Sequence, residues 1–299
     1  MTSCASHPAI RAALIRALAM AMLISPVACR VNAETASGEL AASVADATSL
    51  TVTNRNGGVE LVKDAAATTM QVTARIRCVA ESKEAAEARV KATKLIAERG
   101  SDGRVQVHVD FPARVPGVIV TYTPVAQACE DSAAITIRTA SLNGIEVSSS
   151  NGSISSGAFG GTATFKTSNG SIGVDGHAGP LAMTTSNGSI KASHVGTPLV
   201  ADTSNGRVEI ALAPSATGDV KIEASNGSVD LQLSAAWQGT VKADTSNGSV
   251  RMEDTRQGAR TNTVKIDDDR ATMTVGDATK AKVTIDTSNG PVKVRVATN

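Results

Sequence analysis

The chain has 299 residues, 41% of them apolar, 19% charged and only 2% aromatic, with a formal charge of +1. That apolar fraction over that length supplies a sizeable core, which argues against wholesale disorder. One Trp, one Tyr and three Phe, without a basic excess, leave little for bases to stack on or phosphates to pair with, so the partner is not a nucleic acid.

Residues 1–33 read as an address. Arg11 and Arg16 lead into the apolar run 17–24, and Val31-Asn32-Ala33 places small residues before Glu34. This order predicts a secretory signal peptide cleaved after Ala33; the run is too short to span a membrane. An Ala-rich N-terminal helix is the alternative. Lipid attachment at Cys29 is a second processing route, but a lipoprotein signal normally carries Leu or a similar residue where Pro26 stands. Cleavage at Ala33 removes three Arg and no acid, leaving 26 basic against 28 acidic residues. It also removes Cys4 and Cys29. The remaining pair, Cys78 and Cys129, predicts one disulfide in an exported chain, with two buried thiols as the alternative. Zinc is not expected, because no CxxC or neighbouring His spacing exists.

Residues 49–63 alternate apolar and polar side chains about Asn56-Gly57, like a founding copy of the later repeat. A strand-like run follows near 70–78. Residues 82–99 predict the one strong helix, capped by Ser82, ended by Gly100 and carrying Lys83–Glu87, Glu87–Lys91 and Lys94–Glu98 at four-residue spacing. Strands are expected to resume at 105–109, 118–122 and 135–137. This mixed segment is expected to cover the first coil, because a bare solenoid end exposes unpaired backbone; deleting residues 64–130 should then cause aggregation.

From residue 141 a repeat dominates. Asn-Gly begins at Asn151, Asn169, Asn187, Asn205, Asn226, Asn247 and Asn289, at steps of 18, 18, 18, 21, 21 and 42. The double step predicts a degenerate copy turning at Asp269-Arg270-Ala271, since Val264-Lys265-Ile266-Asp267 matches Val241-Lys242-Ala243-Asp244. Aligned on Asn, the residues six and four before it are apolar, as in Leu181 and Met183, and so are those two and four after the Gly, as in Ile190 and Ala192. This is strand, corner, strand. Asn-Gly between alternating strands also signals a hairpin, which would build a meander or barrel. The repetition of the turn residues themselves favours stacked coils, in which identical polar side chains form ladders. Strands of this length are also too short for a membrane barrel, and aromatic girdles are missing. The expected fold is all-β: a parallel β-solenoid (β-helix) of 18–21-residue coils with an N-terminal α+β cap containing one helix. Its expected divisions are a signal peptide at 1–33, a first coil and cap at 34–140, and a repetitive solenoid at 141–299.

The copies, reading like Thr-Ser-Asn-Gly-Ser-Ile at 185–190, resemble the bacterial putative-adhesin β-solenoid family of exported proteins. The resemblance covers most of residues 40–299. It implies the coil type, and no catalytic residues are carried over from it.

The most suggestive chemistry is an acidic column three residues before each Asn position: Asp202, Glu223, Asp244, Asp267 and Asp286, joined by Asp268 and Asp269. Asp244, Asp267, Asp268 and Asp269 are the candidate calcium ligands, and such carboxylates also suit acid–base work on a glycan. The competing reading is a solvated charge ladder, because Lys221, Lys242 and Lys265 stand two residues before Glu223, Asp244 and Asp267. His177 and His194 fall in variable connections, read as surface loops or, alternatively, a metal pair. Trp237 lies in a longer connection, as a cap over the core edge or a sugar platform. No nucleophile elbow, phosphate loop or metalloprotease signature is present. No catalytic residue, cofactor or metal is therefore assigned. The expected role is an exported, non-catalytic structural or interaction surface in the periplasm, on the outer surface or secreted. Its partner would be a protein or glycan of the envelope, the mature chain would carry no transmembrane span, and open ends would permit end-to-end pairing. The rivals are a polysaccharide-active solenoid enzyme and a lipid-anchored periplasmic scaffold.

Overall fold

The computed structural model describes residues 31–45, 47–114, 120–122, 127–128, 130–256, 261–267 and 269–296. Residues 1–30, most of the expected signal peptide, and Cys129 and Asp268 lie outside the described residues. Each coil runs along one sheet to its Asn, turns through Gly and returns along a second sheet. The coil of Asn205, for example, comprises Leu199–Asn205 and Val208–Leu212. In both strands alternate side chains are buried, because successive residues point to opposite faces. The two faces meet in one narrow apolar layer, where Phe165, Met183, Ala201 and Ile222 stack on successive coils and are fully buried. The stacking is parallel and in register from coil to coil, with Asn56 beneath Asn151 and Asn151 beneath Asn169. Two sheets of eleven and twelve strands result.

Glycine at the corner is a matter of distance. A Cβ on Gly188 would stand 2.0 Å from the carbonyl oxygen of Gly170 in the coil below, and one on Gly206 would meet Gly188 at the same distance. Each corner thus lies with its backbone directly on the previous corner, and only Gly leaves room. The backbone also pairs there, with Gly170 N–H donating to Asn187 O and Gly188 N–H to Asn205 O. This contact between coils makes Asn-Gly the mark of stacked coils and not of hairpins.

The C-terminal end corrects the expected order. The coil of Asn289 (Lys282–Asn289 and Val292–Val296) lies between those of Asn226 and Asn247, pairing with both. The expected degenerate coil at Asp269 is instead an antiparallel hairpin, Thr261–Asp267 against Arg270–Val275, laid antiparallel on Gly239–Asn247. The reason is steric. The hairpin carries Asp269 and Arg270 where a coil would need Gly, and a Cβ at the neighbouring Gly248 would already stand 2.2 Å from Gly290 O. Alternation survives, burying Ala271, Met273 and Val275, but alternation is blind to strand direction.

At the other end, Arg104–Asp110 pairs parallel with Ser49–Asn56, and Ser132–Thr139 pairs parallel with Val59–Lys63, so both edges of the founding coil are paired. Beyond them stand Met70–Ala80 and an unanticipated strand, Glu34–Val44, antiparallel to it. The helix is shorter than expected and spans Lys83–Ala92. Ser82 caps it, its Oγ accepting from Ala85 N–H at 3.2 Å. Thr93 ends it: the extended Thr93 donates its hydroxyl to Arg89 O at 2.8 Å, and residues Lys94–Arg99 pair antiparallel with Arg104–Asp110. The β-branched Thr competes with helix continuation, and Leu95 and Ala97 pack on the core from a strand. Gly100 therefore serves that hairpin, accepting from Gly103 N–H at 3.1 Å, and does not cap the helix.

Among the described residues Cys78 is a free thiol, fully buried, with Sγ 3.7 Å from Thr93 Oγ1; its expected partner, Cys129, lies outside the described residues. Burial pushes this thiol up from its ordinary value.

Candidate functional site

Eight corner asparagines form one continuous ladder. Asn151 Nδ2 donates to Asn56 Oδ1 at 2.8 Å, Asn169 to Asn151 at 2.8 Å, Asn187 to Asn169 at 2.9 Å and Asn205 to Asn187 at 3.0 Å. The row continues through Asn226, Asn289 and finally Asn247. At the lower end Asn56 donates to Glu130 Oε2 at 2.7 Å, so the cap receives the last amide. Beside it runs an inner row in which Thr167, Thr185 and Thr203 donate to the Gly carbonyl of the coil below. The amides are spent on one another and the hydroxyls on backbone carbonyls. The ladder sets register and presents little to a ligand.

Charge lies instead on the outer face of the longer-stranded sheet. The row three residues before each corner reads, from the cap upward, Thr53, Ser148, Lys166, Thr184, Asp202, Glu223, Asp286 and Asp244. Insertion of the Asn289 coil brings Asp286 between Glu223 and Asp244, and strands lie about 4.8 Å apart. The column therefore changes from neutral and basic to wholly acidic halfway up. A groove of about 440 Å³ follows the acidic half, lined by Asp202, Glu223, Asp286, Asp244 and Asp269, with Arg270 at its upper end.

Two cations answer these carboxylates. Lys221 Nζ lies 2.9 Å from Glu223 Oε1, and that bond holds the Lys221 ammonium above its ordinary value. Arg270 pairs through Nε with Asp244 Oδ1, which likewise raises its pKa. Of the three expected Lys–acid pairs, the Lys221–Glu223 one forms; Asp244 takes Arg270 in place of Lys242, and the side chain of Lys265 lies outside the described residues. Arg270 is in register with Asp244 on one side and Asp267 on the other, so a guanidinium stands where those candidate calcium ligands would share a cation. Among the described residues no group of three His, Cys, Asp or Glu is placed to hold a metal ion. The opposite outer face differs: Lys191–Glu209 at 3.8 Å, Arg207–Asp230 at 3.7 Å and Arg295–Asp230 at 2.8 Å alternate in sign.

The variable edge corrects a second expectation. His177 is not a surface loop residue. It is fully buried, its Nε2 donating to Gly161 O at 3.0 Å, and burial holds its imidazole below the ordinary value. It occupies the core-edge row in the next coil above Phe159, as the bridge of Gly160 to Ala178 shows. Trp237 continues this plugging role, fully buried with Nε1 donating to Gly218 O at 3.2 Å, so its ring is a cap and not a platform. His194 is exposed and meets Asp175 at 3.1 Å, so the two histidines do not share a metal site.

Sequence reading missed the association of Asp175 with Ser193, although their separation of 18 residues equals the coil period. Ser193 Oγ donates to Asp175 Oδ1 at 2.7 Å, the same oxygen that His194 reaches, and Ser193 is the larger cause of the lowered Asp175 pKa. Ser and His both hang on the carboxylate, so neither activates the other as a nucleophile.

Residues 91–295, more than half of the chain, match the Toastrack DUF4097 family. None of the curated proteins matches the sequence. Among solved structures, a putative cell adhesion protein from Clostridium sporogenes is similar at 12% identity and a TM-score of 0.35, over 88% of this chain and 100% of its own. A putative adhesin from Bacteroides fragilis aligns at 10% identity and a TM-score of 0.37, over 88% and 97%. A putative lipid binding protein from Parabacteroides distasonis aligns at 10% and 0.29, over 89% and 97%.

Proposed function

The chain belongs to the Toastrack DUF4097 family, and from its geometry we propose that it is an exported, non-catalytic display surface of the bacterial envelope. The acidic row is its recognition face. The observation that carries this reading is the unbroken register that sets Asp202, Glu223, Asp286 and Asp244 on successive strands along one groove. A rigid column holds these charges at fixed spacing, so a basic, extended partner binds without reordering the protein, which favours association and orients the partner. A glycan-cleaving role gains no support, since Asp244 is already engaged by Arg270. No helix among the described residues is long and apolar enough to cross a membrane.

The test uses mature protein and native envelopes. Retention should be lost in the combined variant Asp202→Asn, Glu223→Gln, Asp286→Asn, Asp244→Asn, and kept when Lys191 and Glu209 on the other face are exchanged. Retention unchanged in the combined variant overturns the reading. N-terminal sequencing of the native protein should begin at Glu34; a lipid-modified Cys29 terminus would establish the anchored alternative, and an intact Met1 would refute export.

A further inference from the structure

The last coil of the chain does not occupy the last place in the column. Residues Lys282–Asn289 and Val292–Val296 fill a slot whose floor is the Asn226 coil and whose roof is the Asn247 coil. The chain builds floor and roof first and supplies the filling at its end. Floor, filling and roof present the same inward columns: Val220, Val283 and Val241 stack in register, as do Ile222, Ile285 and Ala243. Their corners are Asn226-Gly227, Asn289-Gly290 and Asn247-Gly248, so each interface is of the same kind.

Two consequences follow. The roof lies 21 residues after the floor, the same step that separates Asn205 from Asn226, which do stack directly. Roof can therefore settle on floor when the filling leaves, so release does not leave an open cavity. The filling follows the hairpin through a short connection, residues 276–281, which bonds within itself, Asp277 accepting from Thr279 N–H at 2.9 Å and Oγ1 at 2.7 Å, and to the start of the roof, where Thr240 N–H donates to Ala281 O at 3.0 Å and Asp277 N–H to Gln238 Oε1 at 3.3 Å. An element with matched surfaces on both sides fits the same slot in any copy of the chain.

We propose that this slot is an exchange site for the terminal coil of a second copy. Residues 282–296 of one molecule enter between the Asn226 and Asn247 coils of another, and the reciprocal exchange gives a closed dimer. The contacts are those already made within one chain, so the exchanged and unexchanged forms differ only at the connection. Concentration then decides between them.

The experiment traps the exchange with surface cysteines in full-length mature protein whose Cys78 and Cys129 are replaced by Ala. Lys221 on the floor and Thr284 on the filling are in-register neighbours, and the strand spacing of about 4.8 Å suits a disulfide. The double variant Lys221→Cys/Thr284→Cys should close within each chain under mild oxidant, which reports the register. Folded Lys221→Cys protein mixed with folded Thr284→Cys protein should give a covalent heterodimer whose yield rises with protein concentration. Thr284→Cys mixed with Lys191→Cys, on the opposite face, sets the background. A mixed yield no higher than that background, with the double variant closing normally, overturns the proposal; so does a double variant that fails to close.

Discussion

From Asn151 to Asn226 the chain climbs one coil at a time, each landing on the one before. After Asn226 it skips a level, folds back as a hairpin and returns to fill the level it left. The two regions share the same alternation, the same inward residue types and the same Asn-Gly corners. What differs is adjacency, and adjacency is carried by contacts between coils. A period describes what a coil is; the corner contact decides where a coil is able to sit.

The corner glycines give the widest separation between the regions. Gly188→Ala would force a Cβ to within 2.0 Å of a backbone carbonyl in the middle of the sequential run. Its cost should exceed about 4 kcal/mol, the range reserved for gross steric or packing failure, and should unravel coils on both sides. Gly173→Ala, in a neighbouring strand with nothing within 4 Å of the new Cβ, should change stability by no more than about 1 kcal/mol, through the backbone effect alone. Gly290→Ala meets the same clash, at 2.1 Å from Gly227 O, but in the coil inserted out of sequence order. Hydrogen exchange should show protection lost in residues 282–296 while the sequential coils keep theirs. Global loss in that variant would mean that the two regions fold as one unit.

Trp237 tests the edge where the regions meet. It is fully buried and bonded to Gly218 O, so Trp237→Ala should cost about 3–5 kcal/mol in chemical denaturation. Trp237→Phe should recover most of that if the ring acts by filling volume.

Smaller still is the asparagine ladder, which is exposed. Asn187→Ala removes two bonds, one to Asn169 at 2.9 Å and one from Asn205 at 3.0 Å, and should cost about 1–3 kcal/mol at the usual worth of a hydrogen bond. Asn247→Ala at the top of the ladder removes one, to Asn289 at 3.0 Å, and should cost about half as much. Equal losses at both sites would show that each Asn acts through its own turn and not through the row.

The coil, its inward columns and its polar corner were legible because they depend on residue type at a fixed spacing. The order of the last coils was not, because Val241 and Val283 serve equally well above Val220. Only the missing glycine at Asp269-Arg270 signals that the column ends there. The helix was overextended for a related reason: residues 94–99 have acceptable helical spacing, and the deciding partner, Arg104–Asp110, is supplied by tertiary pairing. Of the acidic site, the row itself was readable, whereas the position of Asp286 and the pairing of Arg270 with Asp244 required the coil order. His177 was misplaced because a connection that varies in length suggests exposure, while this one folds its side chain inward.

His177 also gives the finest comparison, between two neighbouring coils that plug the same row with Phe159 and with an imidazole. Burial lowers the folded-state pKa of His177, against the pull of its carbonyl neighbours Gly161 and Pro180. The unfolded chain therefore binds the proton more readily, and stability increases with pH across the window between the two values. The neutral-pH stability is fully present above the ordinary imidazole pKa of about 6.5. It declines as pH falls below that value, until the folded imidazole is itself protonated, and its slope cannot exceed that of one proton. His177→Phe, matching Phe159, should flatten this contribution in denaturation midpoints measured at successive pH values, leaving only the carboxylate dependence at lower pH. A wild-type curve that is already flat through the window, or a slope unchanged in the Phe variant, would show that the buried ring is not the group that titrates.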